Sequence, residues 1–215
     1  ILMDNRPSLL IIVAATARLG AAASLLNTQQ RAAALTHSLS CAPPRLMVVG
    51  EELVEAMDGV ICDAPMAWVA DTGRVARPPR WMDLLGMAAG ESATPVRPGR
   101  AVKMGDPAFY IFTSGTTGLP KASVMSHKRW IGAGLMFGSV CLGLGTDDTI
   151  YAPLPLYHNQ ALTLAWSTSV RTGCALAIRR RFSATEFWDD CRRYDATTLA
   201  YIGEIARYLL NQPRT

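Results

Sequence analysis

The most constraining feature of this chain is a run of nine residues that mixes hydroxyl side chains and glycines and ends in a lysine. Its members are Thr113, Ser114, Gly115, Thr116, Thr117, Gly118, Leu119, Pro120 and Lys121. Glycine tolerates tight backbone curvature, so successive N–H groups can point at one anion, which can then approach closely. The hydroxyl groups add hydrogen-bond donors, and the lysine adds a positive charge on a long side chain. The run therefore predicts a loop that binds the phosphate groups of a ligand.

The sequence on either side of this loop favours an α/β arrangement. Residues 108–112 are apolar, aromatic and β-branched, which predicts a buried strand before the loop. Ser126 can cap a helix that begins near His127, so the predicted order is strand, glycine-rich turn and helix. A flexible surface loop is the alternative interpretation of this composition. The Walker A pattern does not fit, because it requires Gly-Lys-Ser/Thr whereas Lys121 follows Pro120.

Hydrophobic periodicity and turn residues predict alternating helices and strands along the rest of the chain. Such alternation is typical of βαβ units, so the predicted fold class is α/β, with mostly parallel sheets and helices on both faces. Prolines and glycines interrupt residues 72–107, which are predicted to form a loop-rich connection with one short helix near residues 81–89. Ser183 and Glu186 fit a capping box. The other predicted helices cover residues 9–19, 30–41, 51–57, 127–141, 159–170, 183–194 and 204–210, and the predicted strands cover 21–26, 46–49, 108–112, 149–152, 174–178 and 197–201.

Composition argues against several classes of protein. Half of the 215 residues are hydrophobic and 18% are charged, which indicates a globular domain rather than a disordered chain. The net charge of +4 is mild and no nucleic-acid-binding motif is visible, so no nucleic-acid partner is expected. Five scattered cysteines without a Cys-x-x-Cys pair support neither zinc nor a disulfide framework, and reduced thiols are expected. Residues 130–145 are uncharged but contain five glycines, so a buried helix and turn explains them better than a membrane span.

Several charged or titratable side chains are assigned no chemistry at this point. The basic run at residues 179–181 is interpreted as a solvated turn rather than an acidic-lipid or phosphate contact. Asp189 and Asp190 are predicted to lie on a charged helical face. His37 and His127 are interpreted as ordinary surface or helix-start residues, and no cysteine is predicted to act as a nucleophile.

Two sets of residues resemble a known family. The string YIFTSGTTGLPKASVMSH, at residues 110–127, resembles the phosphate-binding signature of the adenylate-forming (AMP-binding) superfamily. The strings FWDDC at 187–191, YIGE at 201–204 and YLLNQP at 208–213 resemble its fatty acid transport protein and very-long-chain acyl-CoA synthetase branch. Ala122 after the lysine also fits that branch, because most relatives outside it have glycine there. The resemblance covers most of the chain and is weakest over residues 51–100.

The resemblance implies activation of a fatty acid with ATP, Mg²⁺ and CoA. The fatty acid carboxylate would attack the α-phosphorus of ATP, giving an acyl-adenylate and pyrophosphate. The CoA thiol would then attack the acyl carbon, giving the thioester and AMP. Residues 113–118 and Lys121 would bind the β- and γ-phosphates. Thr113 would also help to place Mg²⁺, although a hydroxyl that bonds within its own loop is an equally good interpretation.

The resemblance also implies an acyl-binding region beyond the loop. In the family, the aromatic-His pair at Tyr157 and His158 lies beside the acyl pocket and the reacting carboxylate, and His158 would be the catalytic residue that orients that carboxylate. Spacing alone favours a structural histidine instead. Tyr201 and Gly203 follow a predicted strand at the carboxyl edge of the sheet and would form part of the pocket wall. Glu204 is interpreted equally well as a pocket residue or as a helix cap.

The resemblance places the chain within a longer protein. It implies part of an N-terminal AMP-binding domain, with the first αβ units in residues 1–71, a connection in 72–107 and the phosphate-loop half in 108–215. The C-terminal domain that carries the adenylation lysine would be absent, so Lys121 is not that lysine and the isolated chain is expected to be inactive. Two alternatives stay open, an enzyme that loads a carrier protein and a non-catalytic protein for fatty acid uptake. The expected location is the cytoplasm or the cytoplasmic face of a membrane, and peripheral membrane association stays open.

Overall fold

Alternating helices and strands build two structural units along this chain. The structure, a computed structural model, describes residues 1–114 and 119–212, without the side chain of Ser114. One unit comprises Ile1–Asp4 with Ser8–Ser126, and the other comprises Asn5–Pro7 with His127–Thr215.

The first unit contains two three-stranded sheets. Its elements are α1 (Pro7–Arg18), β1 (Ala23–Leu25), α2 (Ala32–Cys41), β2 (Met47–Gly50), a 3₁₀ helix (Glu51–Met57), β3 (Met66–Val69), β4 (Met82–Asp83), α3 (Leu84–Ala89), β5 (Pro107–Ser114) and β6 (Pro120–Ser126). In one sheet β2, β3 and β4 are parallel neighbours. In the other sheet β5 lies between β1, which is parallel to it, and β6, which is antiparallel to it.

Helix α2 contributes to a core that includes residues from both sheets of the first unit. Its buried Leu35 and Leu39 belong to one apolar cluster with Val49 of β2 and Phe112 of β5. Complete burial of a leucine side chain stabilises a fold by about 1.5–3 kcal/mol relative to an exposed one. The amphipathic pattern that predicted α2 therefore reflects packing against the sheets.

The second unit is built around one parallel sheet. Its elements are α4 (His127–Ala133), a π-helix that continues it (Gly134–Cys141), β7 (Thr149–Ala152), a second π-helix (Gln160–Trp166), α5 (Ser167–Thr172), β8 (Ala175–Ile178), α6 (Phe187–Arg193), β9 (Thr198–Leu199) and α7 (Gly203–Leu210). Strand β7 lies between β8 and β9 and is parallel to both. In the described part of the chain, no helix has the length and apolarity needed to cross a membrane.

Side chains of β7 alternate between two cores, as the period of a strand requires. Ile150 packs in one cluster with Ala165 of the second π-helix. Tyr151 packs in the other cluster with Phe187 of α6 and Ile205 of α7. Helices therefore cover both faces of this sheet, and the predicted α/β class with mostly parallel pairing is confirmed.

The chain after residue 119 differs from the sequence prediction. A helix was expected to follow the glycine-rich turn, but β6 follows it and pairs with β5 from Ser114↔Pro120 to Pro107↔Ser126. Helix α4 begins at His127, as predicted, but β6 precedes it, so the predicted order of strand, turn and helix omitted one strand. The small side chain of Ala122 faces Phe112 across the hairpin. Strand β6 is stabilised by its pairing with β5. Apolar and polar residues alternate only weakly over residues 121–126, so the sequence of this segment does not predict a strand by itself.

Two further strands were not predicted. Strand β3 has four residues and β4 has two, and each is paired with a strand distant in sequence. Strand β4 is too short to show a period, and β3 is recognised by its pairing with β2. The short helix predicted near residues 81–89 is confirmed from Leu84 onward, since its first residues form β4.

Helix starts in the second unit also differ from prediction. The capping box is wrong, because α6 begins at Phe187 and the side chain of its N-cap residue Glu186 makes no capping bond. Ser183 instead lies within hydrogen-bond distance of Thr185, with 3.1 Å between the hydroxyl oxygens. The cap interpretation of Glu204 is also wrong, because Ile202 is the N-cap residue of α7.

The Arg179 side chain takes part in a buried polar network that the sequence did not predict. Asp190 is 9% exposed, so its assignment to a solvated charged face is wrong. Its carboxylate accepts a 2.7 Å hydrogen bond from the Tyr151 hydroxyl and also bonds the Arg179 guanidinium. Arg179 also pairs with Glu186, so the solvated-turn interpretation is wrong for this arginine. Asp190 of α6 therefore pairs with Arg179, which follows β8, whereas the sequence predicted that these two charges would be separate.

The Glu51 carboxylate makes hydrogen bonds to the turn that follows β3. Its buried carboxylate accepts hydrogen bonds from the Thr72 backbone N–H at 2.6 Å, the Thr72 hydroxyl at 2.5 Å and the Gly73 N–H at 3.0 Å. Burial raises the pKa of Glu51, but the hydrogen bonds from Thr72 and the backbone of residues 71–73 outweigh it and lower the pKa to about 2. The charged form of Glu51 is therefore the form that the fold stabilises.

Replacing Glu51 with glutamine is expected to lower the free energy of unfolding at neutral pH by about 2 kcal/mol, as for hydrogen bonds to a charged group. Because the folded pKa lies below the ordinary value of 4.5, this stabilisation is present above pH 4.5 and is lost as the pH falls towards 2. Urea denaturation across that pH range measures it. The exposed Glu55 provides the control, since Glu55→Gln should change stability by less than about 0.5 kcal/mol. Equal effects of the two substitutions would contradict the role of Glu51.

Candidate functional site

The hairpin of β5 and β6 brings two of the predicted phosphate ligands together. Thr113 and Lys121 are directly opposite each other on the two strands, and both are exposed. Residues opposite each other in an antiparallel pair project from the same face, with Cβ atoms about 4.5–5.5 Å apart. A hydroxyl group and an ammonium group therefore flank the position where the two strands separate. The remaining predicted ligands lie outside the described residues: the side chain of Ser114, and Gly115, Thr116, Thr117 and Gly118.

Helix α2 fastens the start of β6. The carbonyl oxygen of Pro120 accepts a 3.1 Å hydrogen bond from Nε2 of His37. The Cys41 thiol donates to the same oxygen at 3.7 Å, and its Sγ is 3.5 Å from His37 Nε2. His37 was interpreted as an ordinary surface residue, yet it holds the residue before Lys121. The i, i+4 spacing of His37 and Cys41 on a predicted helix was the signal for a shared contact.

Tyr157 and His158 lie in a turn between β7 and the second π-helix. Their ring centroids are 4.5 Å apart, and the His158 backbone N–H donates to the Pro155 carbonyl at 3.1 Å. The His158 side chain is exposed. Partial loss of water around the ring lowers the pKa of His158 from its ordinary 6.5, because it disfavours the charged form. The imidazole is therefore neutral near pH 7, with one nitrogen able to donate and the other able to accept a hydrogen bond.

An apolar pocket of about 160 Å³ lies in the second unit, against β7 and β9. It resembles in size an engineered cavity of about 150 Å³ that binds benzene, so it has room for about six carbon atoms. Tyr201 lines it, whereas Tyr157, His158 and Gly203 are not among its lining residues. A Cβ atom on Gly203 would meet nothing within 4 Å, so no neighbour approaches this glycine closely.

Several lining residues of this pocket were missed by sequence reasoning. They are Phe137 of the first π-helix, Leu142 just after that helix, and Leu164 of the second π-helix. Phe137 is 43% exposed and Leu142 is 55% exposed, although the run that contains them was predicted to be buried. Their exposure is visible only in the structure, so the sequence carried no signal that separates these side chains from core residues.

The described side chains make no dedicated metal site. Within residues 1–114 and 119–212, no group of three or more His, Cys, Asp or Glu side chains could hold a metal ion. Thr113 could supply one oxygen ligand, and Mg²⁺ commonly takes its other ligands from phosphates and water. The residues present therefore fit an ion that arrives with a phosphate ligand.

Comparisons with known proteins cover the whole chain. The sequence pattern described as AMP-binding enzyme matches residues 1–215. A medium/long-chain-fatty-acid–CoA ligase, FadD6 of Mycobacterium tuberculosis, is 44% identical over 213 residues, covering 99% of this chain and 34% of the relative. Long-chain fatty acid transport protein 2 of Rattus norvegicus is 36% identical over 217 residues, with 99% and 34% covered. The chain thus spans about a third of the length of these curated relatives.

Solved structures share the fold of this chain. A putative long-chain-fatty-acid CoA ligase from Rhodopseudomonas palustris superposes with a TM-score of 0.83 at 19% identity, covering 99% of this chain and 52% of the other. The N-terminal domain of FACL13 from Mycobacterium tuberculosis superposes with a TM-score of 0.80 at 24% identity, covering 99% and 51%. With the family pattern matched from the first residue to the last, the chain belongs to the AMP-binding enzyme family.

Proposed function

We propose that the full-length protein containing this chain activates a long- or very-long-chain fatty acid with ATP and transfers the acyl group to CoA. The observation that carries this proposal is the pairing of Thr113 with Lys121 across the β5–β6 hairpin, where both belong to the hydroxyl- and glycine-rich run of the sequence. Relatives named as a fatty acid–CoA ligase and a fatty acid transport protein support the choice of substrate. We also propose that the chain forms part of the larger, N-terminal domain of that protein.

In this proposal the hairpin binds the β- and γ-phosphates of ATP. Lys121 is exposed and therefore able to meet a phosphate as a point charge. The bond from His37 to Pro120 restrains the backbone next to Lys121, so less ordering remains to be done when ATP binds. Residues 114–118 would add backbone and hydroxyl donors. The Mg²⁺ ion that accompanies ATP would neutralise phosphate charge, with Thr113 as its ligand from this chain.

The acyl half of the proposed site lies in the second unit. The pocket lined by Phe137, Leu164 and Tyr201 offers an apolar surface for part of an acyl chain. A longer chain must extend beyond it, since the pocket has room for only about six carbon atoms. His158, neutral near pH 7, would orient the carboxylate by hydrogen bonding, and Tyr157 and Gly203 would line the approach.

Replacing Lys121 with methionine is expected to raise the KM for ATP by about 10- to 100-fold, which corresponds to losing a hydrogen bond to a charged group. The measurement is ATP–pyrophosphate exchange by the full-length protein with a panel of fatty acids. Lys128, which is exposed on α4, provides a matched control, because Lys128→Met removes the same charge outside the hairpin. The control variant should keep the KM for ATP of the wild type.

Two results would count against this assignment in different ways. Absence of exchange with every fatty acid in the wild-type protein would refute the proposed reaction. Equal KM values for ATP in the Lys121→Met and Lys128→Met variants would refute the phosphate-binding role of Lys121. Dependence of product formation on CoA separates the proposal from an enzyme that loads a carrier protein.

A second candidate function is fatty acid uptake without catalysis, which the names of the transport-protein relatives favour. In this version the protein would act in the cytoplasm or at the cytoplasmic face of a membrane, associated peripherally with lipid. Cells that carry Lys121→Met decide between the two functions. Fatty acid uptake that persists while acyl-CoA formation is lost would favour the binding role.

A further inference from the structure

Asn5 is buried in the second unit although it stands near the start of the sequence. It is 5% exposed, and its side chain makes three hydrogen bonds to backbone atoms far along the chain. Its Nδ2 donates to the Leu154 carbonyl at 2.8 Å and to the Arg179 carbonyl at 3.0 Å. Its Oδ1 accepts from the Leu156 N–H at 2.8 Å. Both donors and one acceptor position of the carboxamide are therefore used.

The three hydrogen bonds of Asn5 join chain segments that lie just beyond the last residue pair of β7 and β8. Strands β7 and β8 end together at the pair Ala152↔Ile178, and Leu154 and Arg179 come shortly after. The Asn5 carboxamide donates a hydrogen bond to both carbonyl groups, so it links the carboxyl ends of two neighbouring parallel strands. In α/β proteins ligands bind at this edge of the sheet.

The segment after β7 contains two residues that cannot donate a backbone hydrogen bond. It contains Pro153 and Pro155, which have no N–H and cannot donate to a sheet ladder. Leu156 is fully buried, and its backbone N–H donates a hydrogen bond to Asn5 Oδ1. A buried backbone N–H without a partner is costly, so this bond constrains where the segment can lie.

We propose that Asn5 is a positioning residue, whose carboxamide holds residues 154–156 so that Tyr157 and His158 are presented to the fatty acid carboxylate. This inference rests on the proposed function, because it assigns those two residues to the acyl side of the reaction. Asn5 itself touches no substrate and acts through the turn. A misplacement of about 1 Å at a reacting group can slow a reaction about 10²-fold, so a hydrogen-bonded turn has kinetic consequences.

The variant Asn5→Asp separates hydrogen bonding from space filling. Aspartate has the shape of asparagine and keeps the acceptor for Leu156, but its carboxylate cannot donate to the carbonyls of Leu154 and Arg179. We expect kcat/KM for the fatty acid to fall about 10- to 100-fold in the full-length protein, while the KM for ATP stays within about twofold of the wild type. Asn5→Ala should give the same split.

The variant Tyr151→Phe is the matched control for lost stability. It removes the bond from the Tyr151 hydroxyl to Asp190, which is also buried in the second unit, and leaves the Asn5 bonds in place. We expect it to lower the unfolding temperature without changing kcat/KM for the fatty acid. A purely structural role for Asn5 would make Asn5→Asp and Tyr151→Phe behave alike.

Amide hydrogen exchange tests the same inference without any activity. In the wild-type full-length protein the Leu156 amide should exchange slowly, and in Asn5→Ala, which removes its acceptor, it should exchange faster, whereas Tyr151→Phe should leave it slow. A fast-exchanging Leu156 amide in the folded wild type overturns the proposal, even if the variants do not fold. Wild-type kcat/KM in Asn5→Asp also overturns it. If the wild type activates no fatty acid, the proposed function fails, and the exchange rate at Leu156 then decides the positioning role by itself.

Discussion

Replacing Asp190 with alanine should destabilise the protein by about 3–5 kcal/mol, as expected when one partner of a buried charge pair is removed. The Asp190 carboxylate bonds both the Tyr151 hydroxyl and the Arg179 guanidinium. Its loss leaves the buried phenol of Tyr151, which is 0% exposed, without that acceptor. Arg179 would retain Glu186, whose side chain is 56% exposed and therefore a weaker partner.

The pH dependence of the Asp190 effect follows from the same contacts. Burial raises the pKa of Asp190, but the hydrogen bonds from Tyr151 and Arg179 outweigh it, and the pKa lies below its ordinary 3.8. The stabilisation is therefore present above pH 3.8 and is lost as the pH falls further. Urea denaturation of wild type and Asp190→Ala at pH 7 and at low pH measures both predictions.

Asp189 is a control one residue away on the same helix. Its side chain is 73% exposed and pairs with the exposed Arg192 three residues later. Exposed pairs of this kind contribute about 0–1 kcal/mol, so Asp189→Ala should have little effect. Comparable losses of stability in the two alanine variants would show that the buried network does not stabilise the fold.

Gly134→Ala should destabilise the protein by about 3 kcal/mol, at the upper end of the range for overpacking a core. A Cβ atom on Gly134 would overlap the carbonyl oxygen of Ser167 and lie 2.6 Å from its carbonyl carbon. Backbone atoms of α5 cannot rotate away as a side-chain end can. The first π-helix and α5 would therefore have to move apart along a contact that also includes Gly138 and Thr168.

Gly132→Ala is the matched control, two residues earlier in the chain. A Cβ atom at Gly132 would meet nothing within 4 Å, and this glycine lies in α4. Alanine favours a helix over glycine by up to about 1 kcal/mol, so Gly132→Ala should leave stability unchanged or raise it. Thermal unfolding of the two variants measures the difference. A Gly134→Ala variant as stable as Gly132→Ala would mean that the two helices are less closely packed than the structure has them.

Local patterns were sufficient for many elements of the fold. Strand β7 was predicted at residues 149–152, its observed range, because apolar and β-branched residues there are bounded by turn residues on both sides. Helix α1 was predicted at residues 9–19, and the structure places it at Pro7–Arg18, so it differs only at its ends. In both cases the information lies within about ten neighbouring residues, which is the range of periodicity arguments.

Contacts between distant residues were not predictable from such patterns. Strand β6 exists because β5 pairs with it, and its own residues alternate weakly. Asp190 is an acidic residue on an amphipathic helix, and only the fold places Tyr151 and Arg179 around it. Gly134 was predicted to lie inside a helix, but its close approach to the Ser167 backbone was not predicted.

Some residues of the candidate site were predictable from the sequence, and others were not. Thr113 and Lys121 were predicted as phosphate ligands from composition, and their pairing across a hairpin required the structure. His37 and Asn5 were not found, because each acts on a backbone atom of a segment at least 83 residues away. Every residue has a backbone carbonyl, so the sequence does not show which carbonyl a given side chain will bond.

The bonds of Asn5 also set an order of events during synthesis on the ribosome. Leu2 can bond the Val48 carbonyl once residue 48 has been made, but Asn5 must wait for Arg179, 174 residues after it. At about 5–20 residues per second, that delay amounts to roughly 9–35 seconds. Leu2 can therefore reach its bonding partner earlier in translation than the Asn5 side chain can.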